Sequence, residues 1–172
     1  NDIQARRVTE RLFALSSQNA KPITFVISSP GGHVESGDMI HDAIKFISAP
    51  VRMLGTGWVA SAGALIYAAA ARENRFCLPN TRFLLHEPRG GVGGMASDVE
   101  IQAREILRTR ARLNDLYVFH TGQELSEIER VMDRDFFMDV NQAMEFGVID
   151  SVLDKRLGRT MMKKAVTKAS RV

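Results

Sequence analysis

Short β-rich runs alternate with helical stretches along most of this chain, and this alternation constrains the fold more than any other feature. Branched and aromatic residues mark five strands, at 22–28, 51–54, 75–78, 82–85 and 148–152. Apolar residues at helical spacing mark four helices, at 8–15, 39–47, 61–71 and from 97 towards 120. Strands that alternate with helices in this way are typical of an α/β fold built on right-handed crossovers.

Polar residues and glycines indicate where helices begin and end. Three pairs have the spacing of a capping box, namely Ser97 with Glu100, Ser126 with Glu129, and Asp139 with Gln142. Gly122 and Gly147 are predicted to end the first and last of these helices. The segment 55–60 is predicted to be a turn between a strand and the buried helix at 61–71.

The charge of the chain lies unevenly along its 172 residues. The formal net charge is +3, but seven basic residues and no acid lie in the last 18 positions, and the rest of the chain is net negative. We therefore expect one domain at 1–153 and a flexible basic tail at 154–172, and no nucleic-acid partner. Because the chain starts at Asn1 inside a helical pattern, we also expect a segment to precede it.

Composition excludes several other classes. A single cysteine, Cys77, rules out an internal disulfide and fits a reducing compartment, which is the cytoplasm or the matrix or stroma of an organelle. No apolar run in the sequence is long enough to span a membrane, and the pattern of a signal peptide is not found in it. No histidine pair has metal-ligand spacing, so we expect no metal.

Three residue types needed for nucleophilic hydrolysis occur in separate segments. Ser61 lies among small residues where a helix begins, His86 ends an apolar strand, and Asp135 lies in a charged stretch before two aromatic residues. A hydroxyl, a base and an orienting acid form a catalytic triad. The residues alone leave alternatives open, since Ser61 could be an N-cap and His86 a structural histidine.

Two glycine-rich segments lie close to these candidates in the sequence. Gly31 and Gly32 follow Ser-Pro and could present an amide to an oxyanion, or form an ordinary turn. The glycine-rich run at 90–94 is predicted to be an exposed extended edge that accepts a peptide strand. It lacks the lysine and the Ser/Thr of a phosphate loop. His41 and His120 are predicted to be surface residues.

Several ordered blocks of the sequence carry a resemblance to a known family. The blocks are Ile-Ser-Ser-Pro-Gly-Gly at 27–32, Ala-Ser-Ala-Gly-Ala at 60–64, Arg-Phe-Cys-Leu-Pro-Asn at 75–80, His-Glu-Pro at 86–88, His-Thr-Gly-Gln at 120–123 and Phe-Gly-Val-Ile-Asp at 146–150. With them, the chain resembles the ClpP serine peptidases from about residue 7 to residue 153. The resemblance implies a ClpP/crotonase-like α/β fold of repeated β-β-α units with a protruding strand–helix handle.

The resemblance also implies roles for individual residues. It places the nucleophile on Ser61, the base on His86 and the orienting acid on Asp135. The implied oxyanion-hole amides are those of Gly32 and Ala62. The implied substrate-binding positions are Gly31, His33, Val34, Arg89, Gly90 and Gly91. The implied oligomer contacts are Asp133 and Arg134.

The implied function is that of a serine endopeptidase that cleaves unfolded polypeptides to short peptides. Members of the family form heptameric rings that stack into a barrel, a tetradecamer, fed by a ClpX- or ClpA-type AAA+ unfoldase. ATP is used by that partner, and this chain needs no cofactor. The chain departs from the usual family pattern at Ala62, His33, Glu87 and Arg89, and the last three lie beside the expected cleft.

Three alternatives remain at this point. The chain could be a non-catalytic ring subunit that only contributes contacts to active neighbours, although the intact triad argues against this. A crotonase-like acyl-CoA enzyme shares the fold, but it would need carboxylates in place of a serine–histidine pair. A serine–lysine dyad is disfavoured, because Lys45 is the only lysine between His41 and residue 71.

Overall fold

The computed structural model describes residues 1–154 and the backbone of 159–162. The helices are α1 (Asp2–Gln18), α2 (Val34–Phe46), α3 (Ala62–Ala68), α4 (Ala96–Thr121), α5 (Leu125–Met132) and α6 (Val140–Phe146). The strands are β1 (Ile23–Ser29), β2 (Val51–Ala60), β3 (Arg75–Cys77), β4 (Arg82–Leu85), β5 (Phe136–Met138), β6 (Ser151–Asp154) and β7 (Arg159–Met162). The chain thus alternates between helices and strands, as the sequence predicts.

Strand β2 organises a mixed seven-stranded sheet. The order is β5-β4-β2-β3-β6-β7, and β1 pairs with β2 as well. One edge of β2 pairs in parallel with β1, while its other edge pairs in parallel first with β3 and then with β4. The two outer pairs, β4 with β5 and β6 with β7, are antiparallel. A single strand therefore carries three neighbours.

The prediction of a turn at 55–60 is wrong, because β2 continues through this segment to Ala60. Gly55 and Gly57 are the residues that predict a turn, but both lie within the strand and allow its local geometry. A side chain at Gly55 would lie 3.2 Å from the Tyr67 ring, so the missing side chain lets α3 pack closely against β2. Gly57 has φ +62, and the register between β1 and β2 shifts nearby. The glycines thus permit a distortion within a strand.

The helix ends match the sequence only in part. Asp139 caps α6 in a complete capping box with Gln142. Gly122 and Gly147 end α4 and α6 in the left-handed conformation. The other two predicted capping boxes are wrong, because α4 begins after Met95 and α5 after Glu124, neither with a side-chain cap. Both helices therefore begin before the serines that the pattern selected.

The core lies on both sides of β2 and around α3. Every residue of α3 is buried, as expected for the apolar stretch that follows Ser61. Among the largest fully buried side chains are Tyr67, Phe83, Met53 and Leu65. The Tyr67 hydroxyl donates a hydrogen bond to the Phe76 carbonyl oxygen at 2.8 Å. This packing fixes the position of the serine at the start of the helix.

The predicted tail lies largely outside the described residues, so its flexibility and the domain boundary at 153 stay predictions. Within the part of the chain that the structure describes, no helix is long and apolar enough to span a membrane.

Candidate active site

The register of the sheet brings Ser61, His86 and Asp135 to one edge. Ser61 directly follows β2, and His86 directly follows β4, which runs parallel to β2 with Ala60 opposite Leu84. Asp135 directly precedes β5, which is antiparallel to β4 with Phe136 opposite Leu85. The next pair along that ladder is Asp135 with His86. The structure thus brings the predicted triad residues together.

Ser61 has an unusual backbone conformation at the junction of β2 and α3. Its φ of 53° and ψ of −125° make it the one non-glycine residue with positive φ among the described residues. Such strain is found mainly at functional sites. Its amide donates to the Leu84 carbonyl oxygen at 2.9 Å, but its hydroxyl makes no capping hydrogen bond. Ser61 therefore occupies the N-cap position of α3, as the alternative predicted, but its side chain does not cap the helix.

Gly31 packs directly against Ser61. Its φ is +100°, and a Cβ atom at this position would lie 2.6 Å from Ser61 Cβ and 3.1 Å from Ser61 Oγ. No side chain fits there without displacing the serine. The Gly31 amide donates to Ser29 Oγ at 3.1 Å, which holds the loop in place.

Two amides beside Ser61 have no protein acceptor. The amides of Gly32 and Ala62 donate to no other group within residues 1–154. Ala62 is the first residue of α3, where the helix dipole and the unpaired amides favour negative charge. The pair can therefore donate to an oxyanion that forms on a group attached to Ser61 Oγ.

His86 and Asp135 are joined by a direct hydrogen bond. His86 Nδ1 lies 3.0 Å from Asp135 Oδ1, and the histidine side chain is 14% exposed against 37% for the aspartate. The strand β5, which positions Asp135, is absent from the sequence prediction. The Glu87 amide donates to the Met132 carbonyl oxygen at 2.7 Å, so the chain segments on both sides of the pair are tied together.

Three arginines lie near the hydrogen bond between His86 and Asp135. Arg89 donates from its guanidinium to Asp135 Oδ1, the same oxygen that faces His86. Arg110 of α4 lies 3.3 Å from Glu87 Oε2 and 3.6 Å from Asp133 Oδ1. Arg134 is 87% exposed, and its contacts are with Asp133. The predicted contact residues Asp133 and Arg134 thus lie on the surface next to Asp135.

A cleft of about 390 Å³ passes over Ser61 and His86. His33, Val34, Arg89 and Gly90 line it, as predicted for substrate-binding residues. The other two predicted residues do not: Gly31 lines a neighbouring cavity, and Gly91 is exposed with no atom within 4 Å of a Cβ placed there. A smaller recess next to Ser61 is lined by Leu65, Leu113 and Tyr117.

The prediction that His41 and His120 are surface residues is wrong, because each is 5% exposed. Their Nε2 atoms lie 3.0 Å apart, and Arg75 donates to His120 Nδ1 at 3.4 Å. Burial and the nearby Arg75 lower the pKa of His120 to about 3. Burial also lowers the pKa of Arg75 to about 10 and raises that of Cys77 to about 12. The spacing of apolar residues, which predicts helices, does not indicate that these polar side chains are buried together.

No cluster of three or more His, Cys, Asp or Glu residues within the described ranges has the geometry to hold a metal ion.

A serine, a histidine and an aspartate at one edge of an α/β sheet, next to unpaired amides, define the class of serine hydrolases. The family model of the Clp protease matches residues 1–156, and this chain belongs to that family. Its members include serine peptidases, and this chain is a peptidase of that kind with the expected ClpP fold.

Individual relatives agree with this assignment. The ATP-dependent Clp protease proteolytic subunit 2 of Gluconobacter oxydans is 54% identical over 155 residues, which cover 89% of this chain and 70% of that protein. Subunit 3 of Rhizobium etli is 53% identical over 153 residues, which cover 89% of this chain and 79% of that protein. A solved structure of a ClpP1 mutant from Listeria monocytogenes has a TM-score of 0.85 and 47% identity, covering 92% of this chain and 88% of that one.

Proposed function

We propose that Ser61 is the nucleophile of this peptidase, His86 its general base and Asp135 the acid that orients the histidine. The observation that carries the assignment is the ladder register that sets Asp135 opposite His86, with Ser61 at the end of the adjoining strand. Family membership sets aside the acyl-CoA alternative, because the chain is a Clp protease.

The proposed reaction proceeds in two steps. Ser61 Oγ attacks the peptide carbonyl carbon while His86 Nε2 takes the hydroxyl proton, and the resulting oxyanion accepts hydrogen bonds from the Gly32 and Ala62 amides. The C–N bond then breaks as His86 returns the proton to the leaving amine. Water hydrolyses the acyl-enzyme by the same route, with His86 acting again as base and then as acid. The reaction needs neither a metal nor a cofactor.

The base is not yet in contact with the nucleophile. In the described part of the chain, hydrogen bonds join His86 to Asp135 but not to Ser61. Both side chains line the same cleft, and we expect their contact to form when substrate binds. Catalytic hydrogen bonds are often long without substrate and shorten when it binds.

The substrate we propose is an extended, unfolded polypeptide. It would pair with the backbone at 32–34 on one side of the cleft and at 89–91 on the other. The recess lined by Leu65, Leu113 and Tyr117 would receive an apolar side chain next to the scissile bond.

We propose further that the chain acts inside a barrel of two stacked heptameric rings. The relatives carry the words "proteolytic subunit" and "ATP-dependent" in their names, and these words support an assembly fed by a ClpX- or ClpA-type unfoldase that uses the ATP. The exposed Arg134 beside Asp135 supports a ring contact at this place. The buried free thiol of Cys77 supports a reducing compartment, the cytoplasm or the matrix or stroma of an organelle. The native mass with and without a peptide substrate tests the assembly.

Labelling of Ser61 tests the catalytic assignment. A fluorophosphonate should label the protein at Ser61, and Ser61→Ala should abolish labelling while lowering peptide hydrolysis by at least ~10³-fold. The native mass of the variant should not change, because the substitution removes one oxygen atom. An unlabelled but assembled protein would instead identify a non-catalytic ring subunit.

A further inference from the structure

Asp135 Oδ1 has two partners that differ in what they do for catalysis. His86 Nδ1 lies 3.0 Å from this oxygen, and the Arg89 guanidinium donates to it as well. The Arg89 side chain is 67% exposed, whereas that of His86 is 14% exposed. One carboxylate oxygen is therefore shared between the proposed base and an exposed surface cation.

The two partners have opposite effects on the transition state. When His86 takes the proton of Ser61, it becomes an imidazolium, and the negative charge of Asp135 stabilises that cation. Arg89 neutralises part of the same negative charge and adds a positive charge next to the imidazolium. While Arg89 is paired with Asp135, the carboxylate therefore stabilises the cationic His86 of the transition state less.

The position of Arg89 links this pairing to the cleft. Arg89 lines the cleft together with Ser61, and it begins the exposed glycine-rich segment that a substrate strand would pair with. An ion pair this exposed is worth at most about 1 kcal/mol, so ordering of the segment by a bound peptide can break it.

We propose that Arg89 is a positioning residue that restrains the triad in the empty cleft, and that a peptide bound along 89–91 draws it away from Asp135. This inference rests on the proposed roles of Ser61, His86 and Asp135. Its consequence is a selective effect: Arg89 slows reactions of small reagents that leave the segment untouched, and affects extended peptides much less.

Two probes separate these situations. A small fluorophosphonate measures the reactivity of Ser61 with the segment unoccupied, and an extended fluorogenic peptide measures it with the segment occupied. Arg89→Met removes the charge and keeps the length of the side chain, while Arg89→Lys keeps the charge. Arg52→Met is the matched control, because Arg52 is an exposed arginine of β2 that does not line the cleft.

The expected result is that Arg89→Met raises the labelling rate about fivefold, equivalent to ~1 kcal/mol, and raises kcat on the extended peptide by a clearly smaller factor. Arg89→Lys should label at close to the parent rate, and Arg52→Met should match the parent with both probes.

Two outcomes would overturn the inference. Equal losses with both probes in Arg89→Met, restored by Arg89→Lys, would show that Arg89 supports the triad and does not restrain it. Unchanged labelling would show that the pair has no effect on Ser61. A parent protein without any labelling at Ser61 is a separate result, because it contradicts the catalytic assignment itself.

Discussion

The two sides of the site are held by different forces. The nucleophile side consists of β2, Ser61, α3 and the Gly31 that packs against them. Its supporting residues are buried, with Val59 and Ala60 at 0% exposure. The histidine–acid side consists of His86, Asp135 and the arginines around them, and its contacts are hydrogen bonds and ion pairs at the surface.

This difference indicates which half of the site is kept in place by the packing of a single chain, without substrate or neighbouring subunits. Close packing resists displacement, because any shift creates clashes or voids. Exposed ion pairs are weak and respond to any new partner that approaches. The nucleophile side is thus set by the chain's own core, whereas the histidine–acid side is open to influence from substrate and from neighbouring subunits.

Asp135→Asn should have the largest effect. The amide cannot stabilise the imidazolium and favours the wrong histidine tautomer, so kcat should fall by about 10⁴-fold with little change in the free energy of unfolding. Steady-state hydrolysis of a peptide and denaturant unfolding measure the two quantities. The matched control is Asp115→Asn, because Asp115 is an exposed aspartate of α4 that does not line the cleft. Near-normal turnover of Asp135→Asn would show that another acid orients the base.

Gly31→Ala should come second and, unlike the previous variant, should affect folding as well. The left-handed φ costs about 1–2 kcal/mol for a residue with a Cβ, and the 2.6 Å approach forces Ser61 to move. A displacement of this kind should lower kcat about 10²-fold. Gly93→Ala is the control, because nothing lies within 4 Å of a Cβ at Gly93. A fully active and stable Gly31→Ala would mean that the nucleophile side is not tightly packed.

The buried histidine His120 predicts a pH dependence of stability. Its pKa in the folded chain is about 3, below the ordinary value of 6.5, so the unfolded chain binds the extra proton between these values. Stability should therefore fall as pH falls from 6.5 towards 3, by up to ~1.4 kcal/mol per pH unit from this group. His120→Gln should show a flatter slope in denaturant unfolding at pH 7, 5 and 4. If the free energy of unfolding depended on pH equally in the two proteins, His120 would not be the source of this pH dependence.

Arg110→Met should have the smallest effect. Arg110 bridges Glu87 and Asp133, which lie next to His86 and close to Asp135, and such half-exposed pairs contribute less than about 1 kcal/mol. We expect kcat to fall by no more than about fivefold, with unchanged unfolding. Arg104→Met is the control, since its ion pair with Glu100 lies within α4. A loss as large as that of Asp135→Asn would mean that the histidine–acid side is far more rigid than its exposure indicates.

The sequence predicts the nucleophile side better than the histidine–acid side, because the nucleophile side is held by buried apolar packing. Strong apolar runs specify the strands and the buried helix that hold Ser61, and small residues mark the close approaches. The sequence analysis misses the continuation of β2 through Gly55 and Gly57. Glycine usually indicates a turn, and it only occasionally indicates a distorted strand.

The histidine–acid side has little local signal in the sequence. Strand β5 has three residues, and its place beside β4 follows from tertiary pairing and not from its own composition. The pairing of Arg89 with Asp135 joins residues 46 positions apart, so no spacing rule finds it. Residue types and family blocks predict the three triad residues, and the register of β4 with β5 explains physically why Asp135 meets His86.

The buried guanidinium of Arg75 shows how a positive charge inside the protein can be accommodated by carbonyl oxygens and a histidine ring, without an ion pair. It donates to the carbonyl oxygens of Ala70 and His120. A guanidinium can only donate, so His120 Nδ1 accepts a hydrogen bond from Arg75 and the proton of His120 lies on Nε2. This Nε2–H group donates a hydrogen bond to His41 Nε2. His41 Nδ1 then donates to Asp42 Oδ1 at the surface. The two rings thus form a continuous hydrogen-bonded chain that links a cation inside the protein to a carboxylate in water.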